Sequence, residues 1–218
     1  MDPSPVHTRW QAPAAGEHYA HARWSSTRHA ERDPRLVAGL LEKHLSADRS
    51  AAAHGKALLL DAPCGTGRLR PTLSAHGRHV GLDVSLPMLA EARQANPAGA
   101  WLRGNVTRLP FRDGSFDAVV CCRLLHHLAE PEALAEVLSE LVRVSRALVI
   151  ASFWDRGSLP AWRRAWLPTT RPARRHARSR AELAAAFAHA GAEVVGWKHS
   201  LRFVSRQAFV VARKDGPA

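Results

Sequence analysis

The stretch Leu58-Leu-Leu-Asp-Ala-Pro-Cys-Gly-Thr-Gly-Arg68 decides the fold, because an apolar strand runs directly into a glycine-rich turn. Residues 58–60 are typical of a buried strand in a parallel sheet. Gly65 and Gly67 can adopt positive φ angles and carry no Cβ, so the backbone of the turn can come close to a ligand. We expect the turn at the carboxyl end of the strand, where α/β proteins bind nucleotides.

The spacing of this turn indicates the kind of nucleotide. Three residues after Gly67 stands Arg70, so the third glycine of a dinucleotide fingerprint is missing, and that glycine permits tight helix packing beside a pyrophosphate. Asp61 lies where its carboxylate can hold the amides of the turn or meet a cationic ligand. Both roles suit a nucleoside that carries an amino-acid tail, and S-adenosyl-L-methionine (SAM) fits that description.

Four ordered segments resemble the motifs of class I SAM-dependent methyltransferases, similar to the ubiquinone and menaquinone C-methyltransferase subgroup (methyltransferase type 11). These segments are residues 61–68, 81–85, 104–111 and 116–128. The second resembles the motif whose acidic residue binds the ribose hydroxyls, and here that residue is Asp83, which follows Asp61 by 22 residues. The third resembles the segment that contacts adenine, with Asn105 where the family usually has aspartate.

The resemblance implies a set of cofactor-binding residues that share positions in these motifs. They are Asp61, Pro63, Cys64, Gly65, Thr66, Gly67, Arg68, Asp83, Asn105 and Val106. Asn105 can accept a hydrogen bond from the adenine amino group only if its amide oxygen faces the base.

Alternating strand and helix patterns predict the fold class, α/β, with a doubly wound, Rossmann-like, mostly parallel sheet in one domain. The predicted strands are residues 57–61, 79–83, 100–103, 116–121, 147–153, 193–199 and 203–213, and the predicted helices are residues 34–45, 68–76, 86–95, 131–142 and 181–190. The last two strands form a hairpin, and the resemblance implies seven strands with an antiparallel last strand. Residues 1–16 are predicted to be a flexible arm and residues 17–218 the methyltransferase domain.

The chain is strongly basic. Its 31 lysines and arginines against 19 acidic residues give a net charge of +12, and almost all of the positive charge is arginine. This composition is explained either by a GC-rich genome or by a functional partner, such as an anionic substrate, RNA or a membrane surface. We expect a cytoplasmic protein, because no apolar run approaches the length of a membrane span. The three cysteines and the scattered histidines show no metal-ligand spacing, so no metal is predicted.

One segment interrupts the alternation of strands and helices. Residues 155–180 carry several arginines, and Trp162 and Trp166 share one helical face because they are four positions apart. The segment is interpreted either as a basic loop or as a lid over the substrate pocket. In the second case Trp162 and Trp166, together with Tyr19 and Arg123, are candidate substrate-binding residues.

Methyl transfer is a nucleophilic displacement at the sulfonium carbon, so the protein must align the acceptor and, for a hydroxyl or carbon acid, remove a proton. His126 and His127 follow the predicted fourth strand and are the candidate catalytic bases, with only one expected to point inward. The alternative is that one histidine packs near the next helix and the other is solvated. An arginine at position 123 favours an acceptor that carries a carboxylate, phosphate or phenolate.

Three functions remain open from the sequence. The first is SAM-dependent O- or C-methylation of a small molecule, such as a quinone-like compound or a secondary metabolite. The second is RNA methylation through the basic surface, although the segment after the fourth strand lacks the Asn/Asp-Pro-Pro-aromatic motif of many base N-methylating enzymes. The third is a non-catalytic SAM-fold subunit. The sequence predicts neither the acceptor nor the oligomeric state.

Overall fold

The computed structural model describes residues 31–45, 55–158, 176–201 and 205–214, and the architecture below is that of these residues. Helices and strands alternate along the chain as predicted. The strands are β1 Leu58–Asp61, β2 Arg78–Asp83, β3 Ala100–Arg103, β4 Phe116–Cys121, β5 Ser145–Trp154, β6 Ala192–His199 and β7 Gln207–Lys214. The helices are α1 Arg32–His44, α2 Arg70–His76, α3 Leu86–Ala95, α4 Pro131–Val144 and α5 Arg180–His189. The predicted arm at residues 1–16, Tyr19, Trp162 and Trp166 lie outside the described residues.

The strands form one seven-stranded sheet in the order β3-β2-β1-β4-β5-β7-β6. β7 is antiparallel to both of its neighbours, β5 and β6, and the other paired strands are parallel. The prediction of a mostly parallel sheet with an antiparallel last strand is therefore confirmed. The strand order reverses at β1 and β4, and such a switch point opens a crevice at the carboxyl ends of the strands.

Helices cover both faces of the sheet and bury its centre. All six residues of β4 are buried, as expected for a parallel strand between two helical layers. On one face α4 directs a row of apolar residues inward, which consists of Leu134, Val137, Leu138 and Leu141. On the other face α1 contributes Val37, Leu40 and Leu41 to a second apolar cluster, and Leu45, directly after the helix, joins them. The 3.6-residue period that predicted both helices is the period of these buried faces.

Element boundaries differ from the prediction by a few residues where backbone geometry decides. Helix α2 begins at Arg70 rather than at residue 68, because residues 65–69 form turns and Gly67 has a left-handed conformation. Strand β5 begins at Ser145, directly after α4 ends at Val144. Strand β7 begins at Gln207, since residues 205–206 lead into the strand as a bend rather than as part of it.

Candidate active site

A cleft of about 450 Å³ lies at the carboxyl edge of the sheet, around the ends of β1, β2 and β4. It brings together most of the residues that the motifs predicted for the cofactor. Those that line it are Asp61, Pro63, Cys64, Gly65, Thr66, Arg68, Asp83, Asn105 and Val106, and they are joined by Arg123, His126 and His127. Apolar side chains that sequence reasoning did not single out, among them Met88, Leu124 and Val137, complete the wall. The size is within the range of small-molecule sites.

The turn after β1 has the conformation that its glycines predicted. Gly65 and Gly67 have φ angles of 54° and 75°, in the left-handed region that favours glycine. The amide of Gly67 donates to the carbonyl of Cys64 at 3.0 Å, and the amide of Cys64 donates to the carbonyl of Leu82 in β2 at 2.9 Å. The turn is thus closed on itself and attached to the neighbouring strand.

The two glycines of the turn have different surroundings. A Cβ on Gly67 would lie 2.5 Å from the indole of Trp101, which packs beneath the turn from β3. Gly67 is therefore buried against the sheet and does not line the cleft, unlike the other predicted residues of the turn. A Cβ on Gly65 would meet nothing within 4 Å, and Gly65 lines the cleft. Its missing side chain leaves room for a ligand to touch the backbone.

Asp83 connects the turn to the end of β2. Its Oδ2 accepts a hydrogen bond from the amide of Gly65 at 2.8 Å, and its Oδ1 accepts one from the amide of Ser85 at 2.9 Å. Burial raises the pKa of the Asp83 carboxyl, and these two amide donors oppose that rise. A carboxylate offers about four acceptor sites, so each oxygen can still accept a hydroxyl donor from the cleft.

Asp61 does not hold the amides of the turn, which was one of its two expected roles. It is 1% exposed, and neither carboxylate oxygen has a hydrogen-bond partner within the described residues. The amide of Gly65 is bound by Asp83 instead, because that carboxylate faces the turn from the next strand. Nε2 of His79 lies 3.9 Å from Asp61 Oδ2. Burial raises the pKa of the Asp61 carboxyl, while His79 and Arg68 lower it.

Asn105 follows β3 and lines the cleft, but its side chain also shapes its own loop. Its Oδ1 accepts a hydrogen bond from the amide of Thr107 at 3.1 Å, in the manner of an Asx turn. An amide oxygen has a second lone pair, so the bond to Thr107 still allows an adenine contact.

The cysteines have the surroundings of core residues. All three are buried, and burial raises the pKa of the Cys64 thiol far above its usual range, with Asp61 and Asp83 adding to the effect. Burial likewise raises the pKa of Cys122 to about 12. A thiol that stays protonated at neutral pH is a poor nucleophile. The structure therefore gives these cysteines the role of packing residues.

On the other side of the cleft, Arg123 follows β4 in a strained backbone conformation. Its φ angle is 65°, and it is the non-glycine residue with positive φ among those the structure describes. The Arg123 amide donates to Ser152 Oγ at 2.6 Å, and its Nε donates to Oδ2 of Asp33 at 2.7 Å. Ser152 of β5 and Asp33 of α1 therefore hold this residue at the wall of the cleft.

Asp33 is a site residue that sequence reasoning missed. It is fully buried, and besides Arg123 its carboxylate accepts hydrogen bonds from Arg68 at 3.0 Å and from the side-chain amide of Gln207 at 3.0 Å. It thereby connects α1, the glycine turn, the segment after β4 and β7. A signal was present, because Asp33 stands four residues before Val37 and so lies on the buried face of α1.

The two candidate bases lie in a short 3₁₀ turn, Leu125–His127. His126 is 3% exposed, and its ring stacks on the Trp154 indole with centroids 5.0 Å apart and planes 9° apart. The guanidinium of Arg206 lies 3.9 Å from the centroid of the Trp154 ring. His127 is half-buried, with its ring 4.4 Å from that of His126. Both histidines line the cleft. That only one of them points inward stays a prediction.

The two ends of the segment 155–180 lie beside these histidines, although residues 159–175 fall outside the described residues. The amide of Arg178 donates to the carbonyl of Trp154 at 2.8 Å, and the amide of Arg156 donates to the carbonyl of Arg178 at 2.9 Å. The amide of His176 donates to the carbonyl of His126 at 2.8 Å. The segment thus leaves and rejoins the fold next to the cleft.

Within the four described ranges, no group of three or more histidine, cysteine, aspartate or glutamate side chains could hold a metal ion. In the same ranges no helix has the length and apolar character that crossing a bilayer requires.

Comparisons with known proteins agree with this geometry. Residues 60–149 match the family model of a methyltransferase domain. A demethylmenaquinone methyltransferase of Beutenbergia cavernae is 40% identical over 108 residues, which are 48% of this chain and 42% of the relative. A malonyl-[acyl-carrier protein] O-methyltransferase of Erwinia pyrifoliae is 36% identical over 162 residues, 72% of this chain and 56% of the relative. The chain thus spans about half the length of these curated relatives.

A solved structure with the same fold is magnesium protoporphyrin IX methyltransferase from Synechocystis PCC 6803 with bound SAH. The two structures superpose with a TM-score of 0.68 at 19% identity, over 92% of this chain and 98% of that one. The matched domain, the four motifs and the sheet order define the class. Residues 60–149 belong to the methyltransferase domain family, and the chain is similar to demethylmenaquinone methyltransferases among its curated relatives.

Proposed function

We propose that this chain transfers a methyl group from SAM to an oxygen or carbon atom of a small-molecule acceptor. The observation that carries the proposal is the hydrogen bond between Asp83 and the amide of Gly65. This bond joins the glycine turn to the acidic end of β2 in one cleft, and the same cleft is lined by His126 and His127. The cleft therefore has a cofactor half, formed by the glycine turn and Asp83, and an acceptor half, formed by Arg123, His126 and His127.

The cofactor assignment follows from the donors and acceptors of the cleft. We assign the turn at residues 61–67 to the methionine part, because Gly65 leaves open space and the unpartnered oxygens of Asp61 suit a cationic ligand. Asp83 is assigned to the ribose hydroxyls, for which it keeps free acceptor sites. Asn105 and Val106 are assigned to adenine. Arg68 follows the turn directly, and its guanidinium donates a hydrogen bond to Asp33.

SAM supplies a methyl group on a sulfonium, so the remaining tasks of the protein are to align the acceptor and remove a proton. His126 and His127 are the candidate bases because both line the cleft. The stack of His126 on Trp154 fixes the plane of the imidazole. Replacing each histidine by asparagine in turn and recording the pH profile of transfer identifies the base as the residue whose loss removes the acidic limb.

The acceptor side favours a small and anionic or aromatic compound. Arg123 presents a guanidinium at the wall, and Tyr19, Trp162 and Trp166 remain candidate substrate-binding residues from the sequence. The names of two relatives give demethylmenaquinone and the malonyl-[acyl-carrier protein] as acceptors of those proteins. The ends of the segment 155–180 beside His126 support its proposed role as a lid that selects the acceptor.

Incubation with methyl-labelled SAM tests the proposal directly. The protein is offered a small-molecule extract and, separately, total RNA, and the label is followed by chromatography. Label in a compound of the extract is the expected result. Label at one RNA position and nowhere in the extract overturns the proposal in favour of RNA methylation. Intact SAM binding without transfer to either overturns it in favour of a non-catalytic subunit. The cytoplasmic location stays a prediction, which fractionation of cells that express the tagged chain tests.

A further inference from the structure

The connection between β3 and β4, residues 104–115, lines the cleft without containing a helix. It joins the edge of the sheet to its centre through turns and bends, with one isolated bridge. Its first four residues line the cleft, and they are Gly104, Asn105, Val106 and Thr107. A helix would satisfy its own backbone amides and carbonyls, whereas an irregular connection that packs against the fold needs other partners for them.

Two charged side chains of α4 supply such partners further along the connection. Oε2 of Glu140 accepts a hydrogen bond from the Leu109 amide at 2.6 Å. Arg143 donates to the carbonyl of Leu109 from Nη2 at 3.1 Å and to that of Phe111 from Nη1 at 2.8 Å. One pair of side chains, 31 to 34 residues away along the chain, thus holds three backbone groups of the connection.

Glu140 and Arg143 are also fixed relative to each other. Nε of Arg143 donates to Oε1 of Glu140 at 2.6 Å, and Nη2 donates to Oε2 at 2.9 Å, which is a bidentate arrangement. These bonds hold the pKa of the Glu140 carboxyl below its ordinary value, although partial burial opposes them, so the group is an acceptor at neutral pH. Asp113, the other carboxylate on Arg143, is 76% exposed against 18% for Glu140, and solvent weakens its contact more.

Helix α4 lines the same cleft that the connection lines. Its contribution is Ala133 and Val137, which lie about two turns and one turn before Glu140. Leu109 is buried in the same apolar cluster as Val137. The contacts of Glu140 and Arg143 therefore fix how the connection lies against α4, and this sets the position of Asn105 at the wall of the cleft.

We propose that Glu140 and Arg143 are positioning residues that hold residues 104–111 in the conformation by which the cleft distinguishes adenine from hypoxanthine. The proposal rests on the proposed function, in which Asn105 and Val106 are assigned to adenine. Adenine presents an amino donor and a ring-nitrogen acceptor on one edge, and hypoxanthine presents the reverse pattern. A site that matches one pattern leaves its polar groups unpaired against the other, but only while those groups face the base in a fixed direction.

Calorimetric titrations with S-adenosylhomocysteine (SAH), the demethylated product of SAM, and with its deaminated analogue S-inosylhomocysteine test the proposal. The two ligands differ only in the base, so a general loss of stability lowers both affinities alike and leaves their ratio unchanged. The natural protein should prefer SAH by roughly tenfold or more. In Glu140→Ala and in Arg143→Ala this preference should fall by roughly three- to tenfold. The double variant should lose no more than the larger single loss, because both side chains hold one segment.

Glu136→Ala is the matched control, because Glu136 is exposed on α4 one turn before Glu140, and its affinity ratio should equal that of the natural protein. Asp113→Ala removes the exposed partner of Arg143 and should also leave the ratio unchanged. Glu140→Gln keeps an oxygen that can accept from the Leu109 amide, so it should retain most of the preference. If Glu140→Ala does not fold, Arg143→Lys, whose ammonium lacks the planar fork, should show the loss.

Hydrogen exchange gives a second readout that needs no ligand. The Leu109 amide donates to Glu140, so its exchange should become roughly three- to tenfold faster in Glu140→Ala. The amides of β1 are the reference, because this strand is paired on both sides. An equal acceleration in β1 would indicate that the whole fold has weakened, and it overturns the inference.

Affinity ratios in Glu140→Ala and Arg143→Ala that equal the natural ratio overturn the inference, and so does an equal loss in Glu136→Ala. If the natural protein binds neither SAH nor S-inosylhomocysteine, the proposed function itself has failed. If the natural protein binds both with the same affinity, the inference is overturned while methyl transfer from SAM still stands.

Discussion

The two halves of the cleft are built from contacts of very different range along the chain. In the cofactor half, Asp83 binds the amide of Gly65, 18 residues away, and that of Ser85, two residues away. In the acceptor half, Asp33 binds Arg123 across 90 residues and Gln207 across 174. The Asp83 contacts lie within two neighbouring strand–helix units. The second half closes only when helix α1 and strand β7 have both joined the fold.

The chemistry of the two halves differs in the same way. The cofactor half uses backbone amides and glycines, so its shape follows from the path of the chain. The acceptor half uses charged side chains around one buried carboxylate, and such groups are stable in the interior only when every partner is present. We therefore expect a single substitution in the acceptor half to lower mainly the free energy of unfolding. A substitution in the cofactor half should lower mainly the affinity for SAM.

The largest effect should come from Asp33→Ala. The substitution leaves the Arg68 and Arg123 guanidiniums without the carboxylate that both contact, and loss of one partner from such a buried group typically costs about 3 kcal/mol. Urea unfolding measures the free energy of unfolding. Asp113→Ala is the control, because its ion pair with Arg143 lies at an exposed side chain, and that change should cost less than about 0.5 kcal/mol. Equal losses in the two variants would contradict the comparison.

The next effect should come from Asp83→Ala. The change removes the acceptor for the amides of Gly65 and Ser85 together with the proposed ribose contact, so SAM affinity should fall by about 1 to 3 kcal/mol in calorimetry. Asp117→Ala is the matched control. Asp117 is also buried, and it accepts a hydrogen bond from the Leu58 amide and pairs with Arg146 at the opposite edge of the sheet. An equal loss of affinity in that variant would show that buried aspartates affect binding only through stability.

The smallest effect concerns pH. Burial raises the pKa of Asp61 in the folded protein above the value of about 3.9 that an unfolded chain has. Between those two values the folded state binds more protons, so stability is highest at acidic pH and falls as pH rises through the folded pKa. Asp61→Asn should remove this decline and raise the melting temperature at neutral pH. Melting curves from pH 4 to 8 measure it, and a neutral-pH melting temperature below that of the natural protein would be the contrary result.

Much of the fold was predictable because its signals are local. The bounds of α3, β3 and β4 are the predicted ones, since apolar periodicity, Pro87 and the capping residue Ser85 act within a few positions. The start of β7 was not predictable, because strand pairing with β5 and β6 decides where the ladder begins. The insertion at 155–180 was identified by its length, and its attachment beside His126 depends on backbone hydrogen bonds between distant residues.

The same division holds for the site. The sequence by itself determined the class, the glycine turn and the acid at the end of β2, because these depend on backbone conformation and on the fixed order of parallel strands. Only the tertiary structure decided that Asp33 binds both Arg68 and Arg123, that His126 stacks on Trp154, and that His79 lies behind Asp61. Each of these is a side-chain contact between residues far apart in the chain. Such contacts are set by strand register and helix docking, and no local pattern encodes them.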